Sequence, residues 1–439
     1  MTNIKFGTDG VRGRAGQPPM DAQTCFRIGL AAGQVLGSNQ PAFIARDTRR
    51  SGPDLQTALA DGLAAAGISV RLGGVMPTAA LALAVQSEQA DIGVMITASH
   101  NPAADNGVKL FTANGCKITD RQQADIEQRI NELEPIKTHS LGQITTDDSI
   151  SKIYEAKVRS LFEGRPLAAL KLVVDCANGA ASGFAPNLLT EAGAEIIAIH
   201  NTPDGDNINL NCGSTHVEDL QAQVLRHQAD AGIAFDGDAD RLVLVDETGA
   251  LVDGDQILAR LATDWLAVGK LQNQTLVATV MSNIGLERYA HEIGVTLERT
   301  VVGDRHVAAR MEQLGANLGG EPSGHILLPG LLPSGDGLVA ALLPLLSLAK
   351  AKKPASQHLQ VFAAWPQILH NIQYTGGDPL AASGVTTAIE QVTQSLGETG
   401  RVLVRASGTE PLLRIMAEAE TIAQAQAAID QITQAIEQV

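Results

Sequence analysis

Three times before residue 320 the same pattern recurs: a β-prone run, an Ala/Leu-rich helical stretch, a second β-prone run, a second helical stretch, and a third β-prone run ending in a polar loop. The runs are 42–45, 69–72 and 92–96, then 172–174, 195–199 and 231–235, then 276–280, 295–299 and 316–318. Strands alternating with helices imply βαβ units, because a crossover helix returns the chain to run parallel to its start. The fold class expected is therefore α/β: three related domains with mixed, largely parallel sheets. Each third run would deliver its loop to the carboxyl end of a strand, where α/β proteins build ligand sites. Those loops are 97–102, 236–241 and 320–325, and a shared cleft would serve all three. After Trp365-Pro366 the pattern changes to a strand near 368–374, a helix over 382–396, strands at 401–405 and 414–417, and a final helix. That is a smaller α+β C-terminal domain. The expected domains are 1–148, 149–250, 251–362 and 363–439, with 137–149 as a polar linker and 350–354 and 376–379 as surface loops.

Composition narrows the class of ligand. A formal charge of −16 argues against nucleic acid, whose binders need a basic face. The longest apolar run, 338–349, is interrupted by Pro344 and Ser347 and is too short for a bilayer span, so it reads as a buried helix and no membrane partner is expected. Met-Thr-Asn-Ile-Lys-Phe-Gly has no apolar signal core, and Cys25, Cys116, Cys176 and Cys212 form no CxxC pair. A cytoplasmic protein with reduced cysteines is expected, as a monomer or homodimer.

The polar loops carry the chemistry. Thr97-Ala98-Ser99-His100-Asn101-Pro102 offers a serine hydroxyl on a tight turn, with Lys109 soon after to steady phosphate charge or move a proton. Its bland reading is an ordinary strand-to-helix turn, and a neighbouring Ser-His pair is not a triad, since adjacent side chains rarely face each other. Asp236-Gly237-Asp238-Ala239-Asp240-Arg241 packs three carboxylates whose mutual repulsion a hard divalent cation would relieve, with Arg241 as a further positive charge. An EF-hand is opposed by Arg241 where the loop needs glycine, and by strand-like flanks, although Glu247 falls at the twelfth position. Gly320-Glu321-Pro322-Ser323-Gly324-His325 could approach a sugar closely, with Glu321 and Ser323 hydrogen bonding its hydroxyls. Arg405-Ala406-Ser407-Gly408-Thr409-Glu410-Pro411 with Arg414 reads as a phosphate nest of backbone N–H groups, hydroxyls and guanidinium groups. These local cations would focus an anionic substrate within an acidic body. Phe6-Gly7-Thr8-Asp9-Gly10-Val11-Arg12-Gly13 is a weaker signal. Asp47-Thr48-Arg49, 74–77 and Gly303-Asp304-Arg305-His306 read as ordinary loops. A serine beside a cation site points to phosphoryl transfer.

Taken together, these motifs resemble, in order and spacing and over essentially the whole chain, the α-D-phosphohexomutase family, and most closely its amino-sugar branch. The opening Phe6-Gly7-Thr8-Asp9-Gly10-Val11-Arg12-Gly13, Gly303-Asp304-Arg305 and Arg401-Val402-Leu403-Val404-Arg405 carry that closer likeness. The resemblance implies four domains around a central cleft and a phosphoserine at Ser99, with one Mg²⁺ held by Asp236, Asp238, Asp240 and the seryl phosphate. It implies that a small phosphosugar, glucosamine 6-phosphate, is interconverted with glucosamine 1-phosphate through a bisphosphorylated sugar, supplying UDP-N-acetylglucosamine for the cell wall. A sugar 1,6-bisphosphate would be the activator. Catalytic roles would fall to Ser99, Arg12, Lys109 and His325. Substrate contacts would fall to Arg241, Asp304, Arg305, Glu321, Ser323, Arg405, Ser407, Gly408, Thr409 and Arg414. Thr97, Pro322 and Ala406 differ from residues frequent in that branch. The readings left open are a phosphomannomutase/phosphoglucomutase with the same machinery, a serine-dependent phosphatase, and a non-catalytic sugar-phosphate sensor.

Overall fold

The computed structural model describes residues 4–7, 9–132, 141–374, 379–406 and 412–438. The chain divides into two compact units, one of residues 1–281 with 295–361, the other of residues 282–294 with 362–439.

The first unit contains three sheets among its described residues. The first has the strand order Val11–Arg14, Asp105–Thr112, Ile92–Ile96, Ala42–Arg46, Val70–Val75, Ile144–Thr146. The second runs Leu251–Val252, Leu242–Asp246, Ala231–Phe235, Lys171–Asp175, Glu195–Ile199. The third runs Thr296–Thr300, Thr275–Thr279, Gly319–Gly320, Ile326–Leu327. In each, three successive strands run parallel, joined in the first sheet by the later edge strand Ile144–Thr146, and the third of the three turns back into an antiparallel partner: Ile92–Ile96 into Asp105–Thr112, Ala231–Phe235 into Leu242–Asp246, Gly319–Gly320 into Ile326–Leu327. The polar loop of each repeat therefore sits at the tip of a hairpin. Ile92–Ile96 and Ala231–Phe235 are buried at every position, as strands covered on both faces must be.

Three details differ from the sequence expectation. The run 316–318 precedes its strand rather than forming it. Ala316 and Leu318 fill the core, while pairing passes to Gly319 opposite Val277. A Cβ on Gly319 would lie 2.8 Å from the Val277 carbonyl, so the backbones meet only because the side chain is missing. The polar stretch 137–149 is not merely a linker: Ile144–Thr146 pairs in parallel with Val70–Val75 as an exposed edge strand, held by backbone hydrogen bonds rather than apolar faces. Residues 133–140 lie outside the described residues, as do 375–378 of the loop expected at 376–379. The loop expected at 350–354 begins only after the helix Gly337–Ala351, where Lys352 turns left-handed.

That helix is the buried one expected around 338–349, and it retains Pro344 in its interior. No helix among the described residues is long and apolar enough to cross a membrane.

In the second unit Gln367–Gln373, Leu412–Ala419 and Gly400–Ala406 form an antiparallel sheet with Leu412–Ala419 central, backed by the helices Ser383–Leu396 and Ile422–Glu437 over a core including Val392, Ile415 and Ile432. The helix Ile284–Glu292 groups here. Asn283 Nδ2 donates to the Trp365 carbonyl at 3.0 Å, and the Arg288 guanidinium lies 4.1 Å from the Trp365 ring centre.

Asp336 closes the amino end of Gly337–Ala351 by accepting from Val339 N–H at 2.6 Å, and it also accepts from the buried Tyr154 hydroxyl at 2.8 Å. Burial pushes its carboxyl up to about 6. Asp336→Ala removes the cap and orphans the hydroxyl, an expected loss of about 2–4 kcal/mol. Tyr154→Phe in the same chain should recover part of it. Urea unfolding of the two single variants and the double variant checks this; strictly additive losses would show that the two groups share no bond.

Candidate functional site

Ser99 is fully buried and sits in the left-handed region at φ +54°, which costs a non-glycine residue about 1–3 kcal/mol and must be held by its surroundings. Its N–H donates to Thr97 Oγ1 at 2.9 Å. Most of the holding comes from Arg49, whose side chain is also fully buried. Arg49 Nη2 donates to the carbonyls of Ser99 at 3.0 Å and Asn101 at 2.8 Å; Nη1 donates to Asp105 at 2.9 Å and to Pro102. Nε donates to Asp47 at 2.9 Å, which neutralises the buried cation. The Ser99 hydroxyl donates to Asp236 Oδ2 at 2.6 Å. His100 Nδ1 lies 3.4 Å from the same hydroxyl, so these neighbouring side chains do come close, contrary to the expectation that adjacent side chains rarely face each other. That nitrogen accepts from Arg241 at 3.3 Å, and burial, then Arg241 and Arg12, hold the imidazole down to about 4.

The aspartate loop lies directly against the serine loop. A Cβ on Gly237 would fall 2.6 Å from the Ser99 carbonyl, so glycine is what lets the two loops touch. Asp236, Asp238 and Asp240 are buried, with one carboxylate oxygen of each within 4.8 Å of the others. Lys109 Nζ donates to Asp238 at 2.7 Å and Asp240 at 2.8 Å and lies 3.3 Å from Asp9. The Thr78 hydroxyl donates to Asp238 at 2.6 Å. Burial, then Asp240 and Asp238, raise the Asp236 carboxyl well above the usual range. Burial has the same tendency at Asp240, but Lys109, His325 and Arg241 outweigh it and hold that carboxyl well below the usual range. Burial would lower Lys109; Asp238, Asp240 and Asp9 reverse that and keep the amine charged.

The third loop closes on the same group. His325 Nδ1 lies 3.5 Å from Asp240, and its Nε2 lies 3.4 Å from Asp304. Asp304 accepts from Lys117 Nζ at 2.6 Å, and Lys117 also pairs with Asp9, which pairs in turn with Arg12. Arg305 pairs with Asp120. Glu321 is buried and accepts from Gly303 N–H at 3.0 Å, whereas Ser323 is exposed. Gly324 packs so tightly on the second sheet that a Cβ would lie 1.6 Å from the Leu242 carbonyl.

Of the residues singled out from the sequence, the buried Ser99, Lys109, Asp236, Asp238, Asp240 and His325 and the partly buried Arg241 and Asp304 thus meet in one network. In the second unit, Arg405 and Arg414 stand directly opposite in the antiparallel register. Burial and then the Arg414 charge lower the Arg405 pKa. Like charges directly opposite repel, and an anion between them would relieve it. Ser407, Gly408 and Thr409 lie outside the described residues. The sequence reading took Asp47 and Arg49 for an ordinary loop, gave Asp9 no role of its own, and passed over Thr78, Lys117 and Asn209. A signal did exist for Arg49: opposite charges two residues apart, just past the end of an apolar strand, are where a buried ion pair can form.

Family models match the chain along most of its length. Those for phosphoglucomutase/phosphomannomutase match in order: alpha/beta/alpha domain I over residues 3–137, domain II over 147–249, domain III over 253–364 and the C-terminal domain over 367–435. The chain belongs to the phosphoglucomutase/phosphomannomutase family, the α-D-phosphohexomutases. It is 46% identical over 443 residues to a phosphoglucosamine mutase of Cereibacter sphaeroides, covering 99% of each chain. To a phosphoglucosamine mutase of Rhodospirillum rubrum it is 49% identical over 425 residues, covering 94% of each. A crystal structure of a phosphoglucomutase/phosphomannomutase family protein from Burkholderia thailandensis superposes with a TM-score of 0.83 at 27% identity, covering 98% of this chain and 97% of that one.

The three aspartates fit a hard divalent cation. Asp238 Oδ1 and Asp240 Oδ1 are buried without a hydrogen-bond partner among the described residues, and oxygen donors suit such an ion. Lys109 is the counter-charge already in place. Lys109→Met should destabilise the metal-free protein by about 3–5 kcal/mol, because it strands buried carboxylates. Added Mg²⁺ should restore much of that loss. Thermal unfolding in chelator and in Mg²⁺ checks this; equal losses in both media would show that lysine and cation do not share the carboxylates.

Proposed function

We propose that this enzyme interconverts glucosamine 6-phosphate and glucosamine 1-phosphate through a phosphorylated Ser99 and a bisphosphorylated sugar. The observation that carries the proposal is the 2.6 Å contact between the Ser99 hydroxyl and Asp236: a nucleophile held against a buried three-carboxylate cluster. The amino-sugar substrate follows from the relatives, which are phosphoglucosamine mutases over their full length.

In the forward half-reaction the P–O bond of phosphoserine breaks and a P–O bond forms to the free sugar hydroxyl, whose proton is taken up by a base while the released Ser99 oxygen gains a proton and returns to a hydroxyl. In the return half-reaction the other phosphate of the bisphosphate passes back to the Ser99 oxygen, and a sugar 1,6-bisphosphate added to the enzyme would prime it. Asp236, Asp238 and Asp240 would hold Mg²⁺ together with the seryl phosphate. A cation bound there supplies charge neutralisation at a phosphoryl oxygen. Arg12 and Lys109 offset charge as the phosphoryl group moves, which is the positioning and electrostatic work such transfers need. Of the two roles open to Lys109, its carboxylate partners favour the electrostatic one, since they hold it protonated. Proton transfer then falls to His325, whose Nε2 is buried without a hydrogen-bond partner among the described residues. Arg241, Asp304 and Arg305 line the approach, Glu321 and Ser323 bind sugar hydroxyls, and Arg405, Ser407, Gly408, Thr409 and Arg414 grip the phosphate that is not being transferred. We place the reaction in the cytoplasm, where the unpaired thiols Cys25, Cys116, Cys176 and Cys212 stay reduced.

Ser99→Ala should abolish turnover without loss of fold, and intact-mass analysis should show one phosphate on wild type and none on the variant. Full activity in Ser99→Ala would sink the phosphoenzyme. Comparing glucosamine, glucose and mannose phosphates side by side tests the sugar.

Arg414→Ala should raise KM and lower kcat together, because energy from gripping a remote phosphate orients the reacting hydroxyl. Arg414→Lys should recover only part, a point charge being a poor substitute for a bidentate fork. Steady-state kinetics decides; unchanged constants would place the phosphate grip elsewhere.

A further inference from the structure

The Ser99 carbonyl accepts two hydrogen bonds from different parts of the fold. Arg49 Nη2 reaches it at 3.0 Å from the end of Ala42–Arg46 in the first sheet. Asn209 Nδ2 reaches it at 2.8 Å from the stretch that follows Glu195–Ile199 in the second, and also donates to the Asn101 carbonyl at 3.1 Å. The amide is firmly rooted. Asn209 is itself left-handed at φ +57°, and its N–H donates to the Ala177 carbonyl at 2.9 Å. Ala177 N–H in turn donates at 2.8 Å to Asp175, which also accepts from Gly213 N–H at 2.9 Å. Gly237 of the aspartate loop abuts the same place, since a Cβ there would lie 2.9 Å from Asn209 Nδ2.

We propose that Asn209 is a positioning residue for phosphoryl transfer: with Arg49 it clamps the Ser99 carbonyl, fixes the left-handed turn, and so aims the hydroxyl at the aspartate loop. This rests on the mutase reading above. A carbonyl with a donor on either side cannot swing without breaking one bond, and the peptide it belongs to sets the direction of the Ser99 side chain. Asn209 donates to backbone carbonyls, not to the three carboxylates or the serine hydroxyl. Its loss should therefore disturb orientation and leave cation and sugar binding intact.

The test is steady-state kinetics of wild type, Asn209→Ala and Asn209→Asp on glucosamine 6-phosphate, with Mn²⁺ affinity by calorimetry and the rate of Ser99 phosphorylation by glucose 1,6-bisphosphate. Asn209→Ala should lower kcat by about 30- to 100-fold, the scale expected for a misplaced reacting group, with KM within about twofold. Phosphorylation should slow by the same factor, and Mn²⁺ affinity should hold. Asn209→Asp keeps the volume but turns a carboxylate oxygen toward two carbonyl oxygens, so it should be slower still; it decides the matter if the alanine variant does not fold. Wild-type kcat in either variant overturns the clamp, as does a loss confined to KM or a parallel loss of Mn²⁺ binding. Wild type that turns over none of the sugar phosphates overturns the mutase reading itself, whereas active wild type with unaltered variants overturns the clamp alone.

Discussion

A buried guanidinium is the constraint on which the active region depends. Arg49 has no solvent to fall back on, so each of its donors needs an acceptor inside the protein. Those acceptors are Asp47 and four carbonyls of the loop that carries Ser99. The loop could relax out of its left-handed turn only by leaving a buried charge unsatisfied. Strain at the serine is thus balanced by the cost of stranding the arginine, and the hydroxyl proposed as the nucleophile is held in place by the protein itself.

The carboxylates pose the opposite problem. Asp9, Asp238, Asp240 and Asp304 bring negative charge into a largely buried region, and Lys109 and Lys117 thread between them. The two lysines are not equivalent. Lys109 stands on the aspartates that fit a cation, whereas Lys117 joins Asp9 on the first domain to Asp304 on the third. One balances a site, and the other ties together the loops that surround it.

What was legible in the sequence was what is local in the sequence. Ile92–Ile96 and Ala231–Phe235 fall where apolar and β-branched runs placed them, since a strand covered on both faces declares itself by continuous hydrophobicity. Gly319–Gly320 did not, because glycine carries no such signal. The three aspartates were readable because their repulsion is written in adjacent positions. Arg49 and Asn209 were not, because the carbonyl they share is 50 residues from one and 110 from the other. Backbone acceptors leave no trace in a sequence, so a residue that works by gripping them looks like any other loop residue.

The three hairpins of the first unit divide labour in a way that bears on how such an enzyme changes its substrate. Each repeat keeps the same frame and differs at its tip: a hydroxyl at the first, carboxylates at the second, a glutamate and a histidine at the third. The tips touch through backbone and glycine contacts that do not depend on which sugar is bound. On the roles proposed above, a new sugar preference would be written into the exposed part of the third tip, around Ser323, while the hydroxyl, the carboxylates and the buried His325 stay as they are.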